Sequence, residues 1–265
     1  MTQTYLLANR IIQITSLYSE VHTMCDKYRV GSLSTENRQP GSSDPDFDKE
    51  DLSGIDMIVR TTQEDIDFER IRSSRKDGSA SSSDQGYSDA YLETLAVYRK
   101  IAEKMPFFDT MLIHGSCVAV DGTGYLFTAK SGTGKSTHTR LWREIFKDRA
   151  VMINDDKPLV SLTEEEVRIY GTPWDGKHHL STNTSVPLKA LCILERAEKN
   201  EIRPITLSEA FPMLFQQVYR PADTRALKKT IDLISRLASR VDLYRLGCNI
   251  EPEAAKIAYE AMKQK

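Results

Sequence analysis

Two glycines followed by a lysine and two hydroxyl residues form the stretch of this sequence best suited to holding phosphate: Ser131-Gly132-Thr133-Gly134-Lys135-Ser136-Thr137. Glycines let the backbone curl so that successive N–H groups converge on one anion, and a helix starting just behind them adds its partial positive charge. Lys135 is the right length to reach β- and γ-phosphates, and the Ser136 hydroxyl can ligate Mg²⁺. The pattern matches G-x-x-x-x-G-K-[ST] except at its first position, where Ala129 stands. Binding phosphate is not chemistry, however, and a transfer reaction also needs a metal ligand and a proton acceptor. Asp155-Asp156, a short way downstream at the end of the apolar run Ala150–Ile153, supplies two carboxylates. One can hold Mg²⁺ opposite Ser136 while the other takes the proton of an attacking hydroxyl. We assign the base to Asp155 and the metal to Asp156; the sequence also permits the reverse.

Further candidates lie on either side. His114, followed by the small residues Gly115 and Ser116, stands where a hairpin lays its backbone beside the glycine-rich turn, which gives it an active-site role. Arg140, one helical turn past Ser136, is placed to reach phosphate. The stretch Gly171-Thr172-Pro173-Trp174-Asp175-Gly176-Lys177-His178-His179 reads as a rigid binding lip, with Lys177 and His178 as substrate or phosphate contacts. Adjacent residues of an extended segment point apart, so His178-His179 does not read as a metal pair. Arg220, within Gln216-Gln217-Val218-Tyr219-Arg220-Pro221, is a weaker candidate of the same kind.

These residues must be positioned by regular elements. Met111–Val120 has a strand pattern, Asp121-Gly122 is a hairpin signal, and Tyr125–Thr128 is the return strand that feeds the glycine-rich turn. That strand is therefore expected to pair antiparallel with its predecessor. Leu141, Trp142 and Ile145 continue the chain as a helix. Lys157–Leu162 and Val167–Tyr170 flank Thr163-Glu164-Glu165-Glu166 as a second hairpin, and Pro187–Glu195 holds a buried-type strand. Thr206 and Glu209 fit a capping box, with Pro212 expected to delay the helix that follows. A helix over Asp223–Leu237, a strand over Val241–Leu246 and a last helix opened by Glu251-Pro252 complete the chain. Ahead of this core, Tyr5–Ser16 reads as a strand, Leu17–Tyr28 as helical and Ile55–Thr61 as a strand. Gln63–Ile71 reads as a charged helix, and another helix is capped by Ser88 or Asp89. Residues 31–54 and 72–87 are polar and rich in Ser, Asp and Gly, and they read as flexible segments. The expected organisation is a small α+β N-terminal region over 1–107 and a nucleotide-binding domain over 108–265.

His114-Gly115-Ser116, the hairpin, Ser131–Ser136 and Asp155-Asp156, in that order, resemble the catalytic core shared by HPr kinase/phosphorylases and phosphoenolpyruvate carboxykinases. The resemblance covers residues 110–172. It implies a mixed, largely antiparallel α/β sheet carrying a phosphate loop. It also implies a His and an Asp on the catalytic metal in the carboxykinases, and a His in the active site with an Asp as general base in the HPr kinases. The sequence departs from both. Arg168-Ile169-Tyr170-Gly171 stands where HPr kinases carry a Glu-Ile-Arg-Gly-like segment, which argues against HPr as the substrate. The first 107 residues are too short to replace the carboxykinases' N-terminal domain. The wider family also resembles kinases of free serine or of the terminal serine of ribosomal peptides, which suits a chain of this size.

Composition narrows the field. The 265 residues are 40% hydrophobic and 28% charged, with a formal net charge of −2. That balance gives no electrostatic footprint for nucleic acid or an anionic membrane. Four separated cysteines, Cys25, Cys117, Cys192 and Cys248, read as reduced thiols of a cytoplasmic protein. The expected function is an ATP-dependent kinase, with Mg²⁺ (or Mn²⁺) as cofactor and a hydroxyl-bearing small molecule, peptide or protein as acceptor. A carboxykinase-like lyase and a nucleotide-binding module without turnover are the alternatives, and a homo-oligomer is compatible with the sequence.

Overall fold

The computed structural model describes residues 1–30, 54–76 and 86–264. It divides into two units, Met1–Ile101 and Ala102–Lys265. The first holds a three-stranded sheet in the order β1-β2-β3: β1 (Thr2–Leu7), β2 (Arg10–Thr15) and β3 (Met57–Arg60). The expected single strand over Tyr5–Ser16 is in fact the tip and return of a hairpin. Ala8 (φ 48°) and Asn9 (φ 58°) turn the chain with two left-handed residues, and an alanine at the first of these gives no turn signal in sequence. The helices of this unit are α1 (Glu20–Met24), α2 (Gln63–Lys76) and α3 (Asp89–Lys104), the last running across the boundary. Ser88 caps α3 through its hydroxyl, which accepts from the Tyr91 N–H at 3.2 Å. Glu93 of α3 is fully buried and stays there by accepting from the N–H groups of Leu17 (2.7 Å) and Tyr18 (2.8 Å) and from the Thr61 hydroxyl. The expected flexible segment 72–87 is wrong at its start, because α2 continues to Lys76, with the Ser74 hydroxyl bonded back to the Arg70 carbonyl (3.0 Å). Residues 31–53 and 77–85, on which most of both flexible-segment expectations fall, lie outside the described residues.

The second unit carries the candidate chemistry on a mixed α/β sheet of nine strands, most of whose pairings are antiparallel. Its strands are β4 (Thr110–Leu112), β5 (Ser116–Val120), β6 (Thr123–Thr128), β7 (Ala150–Asn154), β8 (Leu159–Leu162), β9 (Val167–Tyr170), β10 (Ser185–Arg196), β11 (Glu201–Pro204) and β12 (Asp242–Cys248). The order is β4-β8-β9-β10-β6-β5-β7, with β12 on β10 and β11 on β12. Asp121 (φ 51°) and Gly122 (φ 77°) close the expected β5–β6 hairpin, so β6 does lie antiparallel to its predecessor. On its other side β6 runs parallel to β10. The expected strand at Pro187–Glu195 is longer than its apolar core: its first residues pair with β9, its middle with β6 and its end with β12. β11 went unseen in the sequence because it is a short polar edge strand.

Four helices cover the two faces of the sheet: α4 (Lys135–Phe146), α5 (Leu207–Gln217), α6 (Thr224–Ala238) and α7 (Pro252–Met262). Alternation along the central strands divides the core. Leu126 of β6 and Leu191 and Ile193 of β10 pack with α5 and α6. Tyr125, Phe127 and Ala129, with Ala190, Cys192 and Leu194, pack with α4 and α7. With both faces covered, β6 is buried from Gly124 onward. α5 begins at Leu207 despite Pro212. The Thr206–Glu209 capping box holds its first turn, and the carbonyl that Pro212 leaves without a helical donor belongs to exposed Ser208, within reach of water.

Trp142 is the largest wholly buried side chain. Its ring meets Tyr125 (5.0 Å), Phe127 (5.2 Å), Phe146 (5.5 Å) and Tyr259 (5.7 Å), and its Nε1–H donates to His138 Nε2 at 3.0 Å. Burial holds the His138 imidazole neutral, with its pKa pushed down to about 4. Trp142→Ala should therefore lower unfolding stability by about 3–5 kcal/mol. Denaturant titration of both proteins tests this, and a loss under about 1 kcal/mol would mean that α4 does not depend on this cluster.

Candidate functional site

The turn between β6 and α4 takes its shape from two glycines. Gly132 (φ 76°) and Gly134 (φ 120°) occupy left-handed backbone that L side chains disfavour; a Cβ would meet open space at Gly132 and only an ordinary contact with the Thr137 Cβ (3.9 Å) at Gly134. At the first position of the motif, Ala129 needs no such freedom; its side chain is buried in the Trp142 cluster. Gly134 caps α4 and, having no side chain, makes no side-chain hydrogen bond to the N–H groups of its first turn. Lys135 opens α4 with Nζ 3.4 Å from the Ala129 carbonyl. Burial lowers its pKa, opposed by the charges of Asp156 and Asp155. Ser131 and Gly132 are exposed, Thr133, Ser136 and Thr137 half-buried. Arg196, at the end of β10, donates to the Gly132 carbonyl from the side.

The Asp pair is set by the residue before it. Asn154, fully buried at the end of β7, accepts the N–H groups of Asp156 (2.9 Å) and Lys157 (2.7 Å) on its Oδ1. Its Nδ2 donates to the Thr172 carbonyl and hydroxyl, both at 3.0 Å. This turn sends the two carboxylates to different partners. Asp155, buried, accepts the Ser116 hydroxyl on Oδ1 at 2.6 Å; Ser116 Oγ is also 2.8 Å from Thr139 Oγ1, in α4 one turn past Lys135. Asp156 Oδ1 lies 3.3 Å from His114 Nε2, and its Oδ2 takes the Lys157 ammonium. Burial would raise the Asp156 pKa. The His114 hydrogen bond and the Lys157 charge outweigh it and pull the carboxyl down to about 2 from the ordinary 3.8.

His114 is not inside a continuous strand, as the pattern Met111–Val120 suggested. The chain breaks at His114-Gly115: β4 pairs with β8, β5 with β6 and β7. The cause is close approach. A Cβ on Gly115 would sit 2.8 Å from Leu126 Cδ1 and 2.9 Å from the Phe127 carbonyl oxygen, and the Gly115 N–H donates to the Asp156 carbonyl at 2.9 Å. Past the end of α5, the segment Gln217–Tyr219 then runs alongside. The His114 N–H donates to the Gln217 carbonyl (2.8 Å), the Tyr219 N–H to the Leu112 carbonyl (2.8 Å), and His114 Nδ1 is 2.8 Å from Gln217 Oε1.

The segment 171–179 does reach the site, through its backbone. Gly176 (φ 72°) lies against Asp156, and a Cβ there would be 3.2 Å from the Asp156 Cβ. Thr172 donates to the Lys157 carbonyl at 2.8 Å, and buried Asp175 accepts the Ser181 hydroxyl at 2.7 Å and lies 3.2 Å from His179 Nδ1. Lys177 and His178 are exposed. Arg140 is exposed and pairs with Glu144 (2.5 Å), and the Arg220 guanidinium sits 5.8 Å over the Phe215 ring. The structure thus brings together the turn, Lys135, Asp155, Asp156 and His114, and leaves Arg140 and Arg220 turned to other partners. Ser116, Thr139, Asn154, Lys157 and Gln217 were missed as working residues. Asn154 and Lys157 adjoin the Asp pair and were visible by adjacency; nothing local could have joined Gln217 to His114.

Among the described residues, no group of three or more His, Cys, Asp or Glu side chains is arranged to hold a metal ion, and no helix is long and apolar enough to cross a membrane. The family described as SynChlorMet cassette protein ScmC matches residues 90–252. No curated protein matches. Among solved structures, the HPr(Ser) kinase/phosphatase from Coxiella burnetii is similar at 10% identity and a TM-score of 0.32, over 57% of this chain and 95% of that one. A likeness that loose carries nothing about chemistry.

The depressed Asp156 pKa has a consequence for stability. The fold favours the charged carboxylate, so its contribution is complete above the unfolded-state pKa near 4 and is lost as pH falls through about 2. Unfolding titrations from about pH 5 down to pH 2 should show wild type losing on the order of 2 kcal/mol more than Asp156→Asn. Parallel curves for the two proteins would mean that His114 and Lys157 do not stabilise this charge.

Proposed function

The chain belongs to the family described as SynChlorMet cassette protein ScmC, and we propose that it is a Mg-ATP-dependent phosphotransferase acting on a hydroxyl group. One observation supports this above the others. Ser116 links Asp155 (2.6 Å) to Thr139 (2.8 Å), tethering the first carboxylate of the acidic pair to α4 one turn past Lys135, behind the glycine turn. A phosphate cradle alone is a binding device; a carboxylate pair tethered next to it is suited to transfer.

In this reading the N–H groups of Ser131–Thr137 and the Lys135 ammonium hold the nucleotide phosphates. The donor set fits a metal that arrives with them. Ser136, Asp156 and His114 Nε2 offer too few ligands for a resident ion, and Mg²⁺ ordinarily completes its shell with phosphate oxygens and water. Bound there, Mg²⁺ would neutralise charge on the transferring phosphoryl group. Asp155 is the base: Ser116 orients one oxygen, and the other takes the proton of the incoming hydroxyl. The acceptor is a serine-type hydroxyl in a protein, peptide or free amino acid, or another small hydroxyl compound. The His114–Asp156 contact equally suits Mn²⁺ in a carboxykinase-like lyase, which stands as the second reading.

Screening the purified protein for ADP release against amino acids, peptides and small alcohols identifies the acceptor. Lys135→Ala should lose most ATP affinity by calorimetry, because it removes the cation fixed at the start of α4, directly behind the glycine turn; unchanged affinity would sink the phosphate-loop assignment. With the acceptor in hand, Asp155→Asn should keep the fold and much of the nucleotide affinity while transfer falls by about 10²–10⁴. Asp156→Asn should instead weaken Mg²⁺-dependent binding. Turnover at wild-type rate in both Asp variants refutes the kinase reading.

A further inference from the structure

The pairing of Gln217 with His114 goes beyond the assignment of His114 to the site. Gln217 is the last residue of α5 and is buried. Its backbone carbonyl accepts the His114 N–H at 2.8 Å, and its side-chain Oε1 lies 2.8 Å from His114 Nδ1. The two residues are 103 apart in sequence, so the chain closes a long loop to make this contact.

The orientation of the Gln217 amide decides what the contact does. Its Nε2 faces Met213 Sδ at 3.7 Å. A thioether sulfur offers no hydrogen and is a weak acceptor, so the amide N–H₂ belongs on that side and the carbonyl oxygen on the imidazole side. A carbonyl oxygen can only accept. Nδ1 must therefore carry the proton, and a neutral His114 then has its lone pair on Nε2, the nitrogen that faces Asp156 Oδ1 at 3.3 Å. With a second proton on Nε2 the ring donates to Asp156, the bond that lowers that carboxyl; without it, a bare lone pair faces a carboxylate oxygen and repels it unless a cation sits between them, and the pair is then a ligand set.

We propose that Gln217 is a positioning residue that locks His114 in its Nδ1–H tautomer, presenting the Nε2 lone pair and Asp156 together to one cation. The tautomer rests on this geometry alone, and only the cation rests on the phosphotransferase reading above. Met213 and Gln217 lie one turn apart on α5, so the helix supplies both the oxygen and the contact that orients it. The arrangement is of the kind in which the outer hydrogen bond of a histidine fixes which nitrogen is free for metal.

The test reads the tautomer directly. ¹⁵N spectra of the metal-free protein, at a pH where the imidazole is neutral and with His114 assigned through His114→Asn, should show protonated Nδ1 and bare Nε2. Gln217→Leu should shift the population toward Nε2–H, whereas Gln217→Glu, which still only accepts, should keep the wild-type form. Mn²⁺ binding in the presence of ATP, followed by loss of the free-ion EPR signal, should weaken about 10- to 100-fold in Gln217→Leu. It should stay close to wild type in Gln217→Glu. A proton on Nε2 in the wild type, or a Gln217→Leu protein with unchanged tautomer, overturns the proposal, and the wild-type spectrum decides even if a variant fails to fold. Protonated Nδ1 in a wild type that binds no Mn²⁺ with ATP would keep the tautomer lock and remove the phosphotransferase reading instead.

Discussion

One hydrogen bond, from the Gly115 N–H to the Asp156 carbonyl, is the constraint around which the second unit is arranged. For the two to meet, the chain must leave the strand ladder at His114 and pass so near β6 that no Cβ fits at residue 115. Breaking the strand there frees the His114 side chain from the alternation of a sheet and turns it toward Asp156. It also lets Ser116, the first residue of β5, reach Asp155. Each carboxylate of the pair is thus addressed by a neighbour of the same glycine: Asp155 by the residue after it, Asp156 by the residue before it.

The buried charges follow the same logic. Asp155 tolerates burial because a hydroxyl donates to it, and half-buried Asp156 is faced by a histidine and Lys157. Asn154 adds no charge but closes the turn with its side-chain oxygen, while its amide is held by Thr172, whose hydroxyl returns to the Lys157 carbonyl. Loop 171–179 is in this way tied to the acidic turn at Thr172 and at Gly176, by hydrogen bonds in one place and by van der Waals contact in the other.

What was legible in the sequence is what is local. The glycine turn, the β5–β6 hairpin, the capping box at Thr206 and the Asp pair are each written in a few adjacent residues, and the structure has the left-handed glycines, the hairpin and the capping box where the sequence puts them. The readings that failed did so for physical reasons outside any short window. Ala8 turns the chain in a conformation its residue type does not advertise. The His114 break comes from crowding by β6, which no pattern within Met111–Val120 can show. Arg140 had the right spacing to face a phosphate but finds Glu144 one turn along the exposed side of α4. Gln217 was invisible because its partner lies 103 residues away.

That separation also orders the making of the molecule. On the ribosome, the turn, the Asp pair and β10 all emerge before α5. A nascent chain therefore holds the glycine turn and the Asp pair while the His114 imidazole still lacks its α5 partner. Only when Gln217–Tyr219 has been synthesised can it zip onto Leu112–His114 and complete the set. Among the residues around the Asp pair, the histidine is the last to be seated.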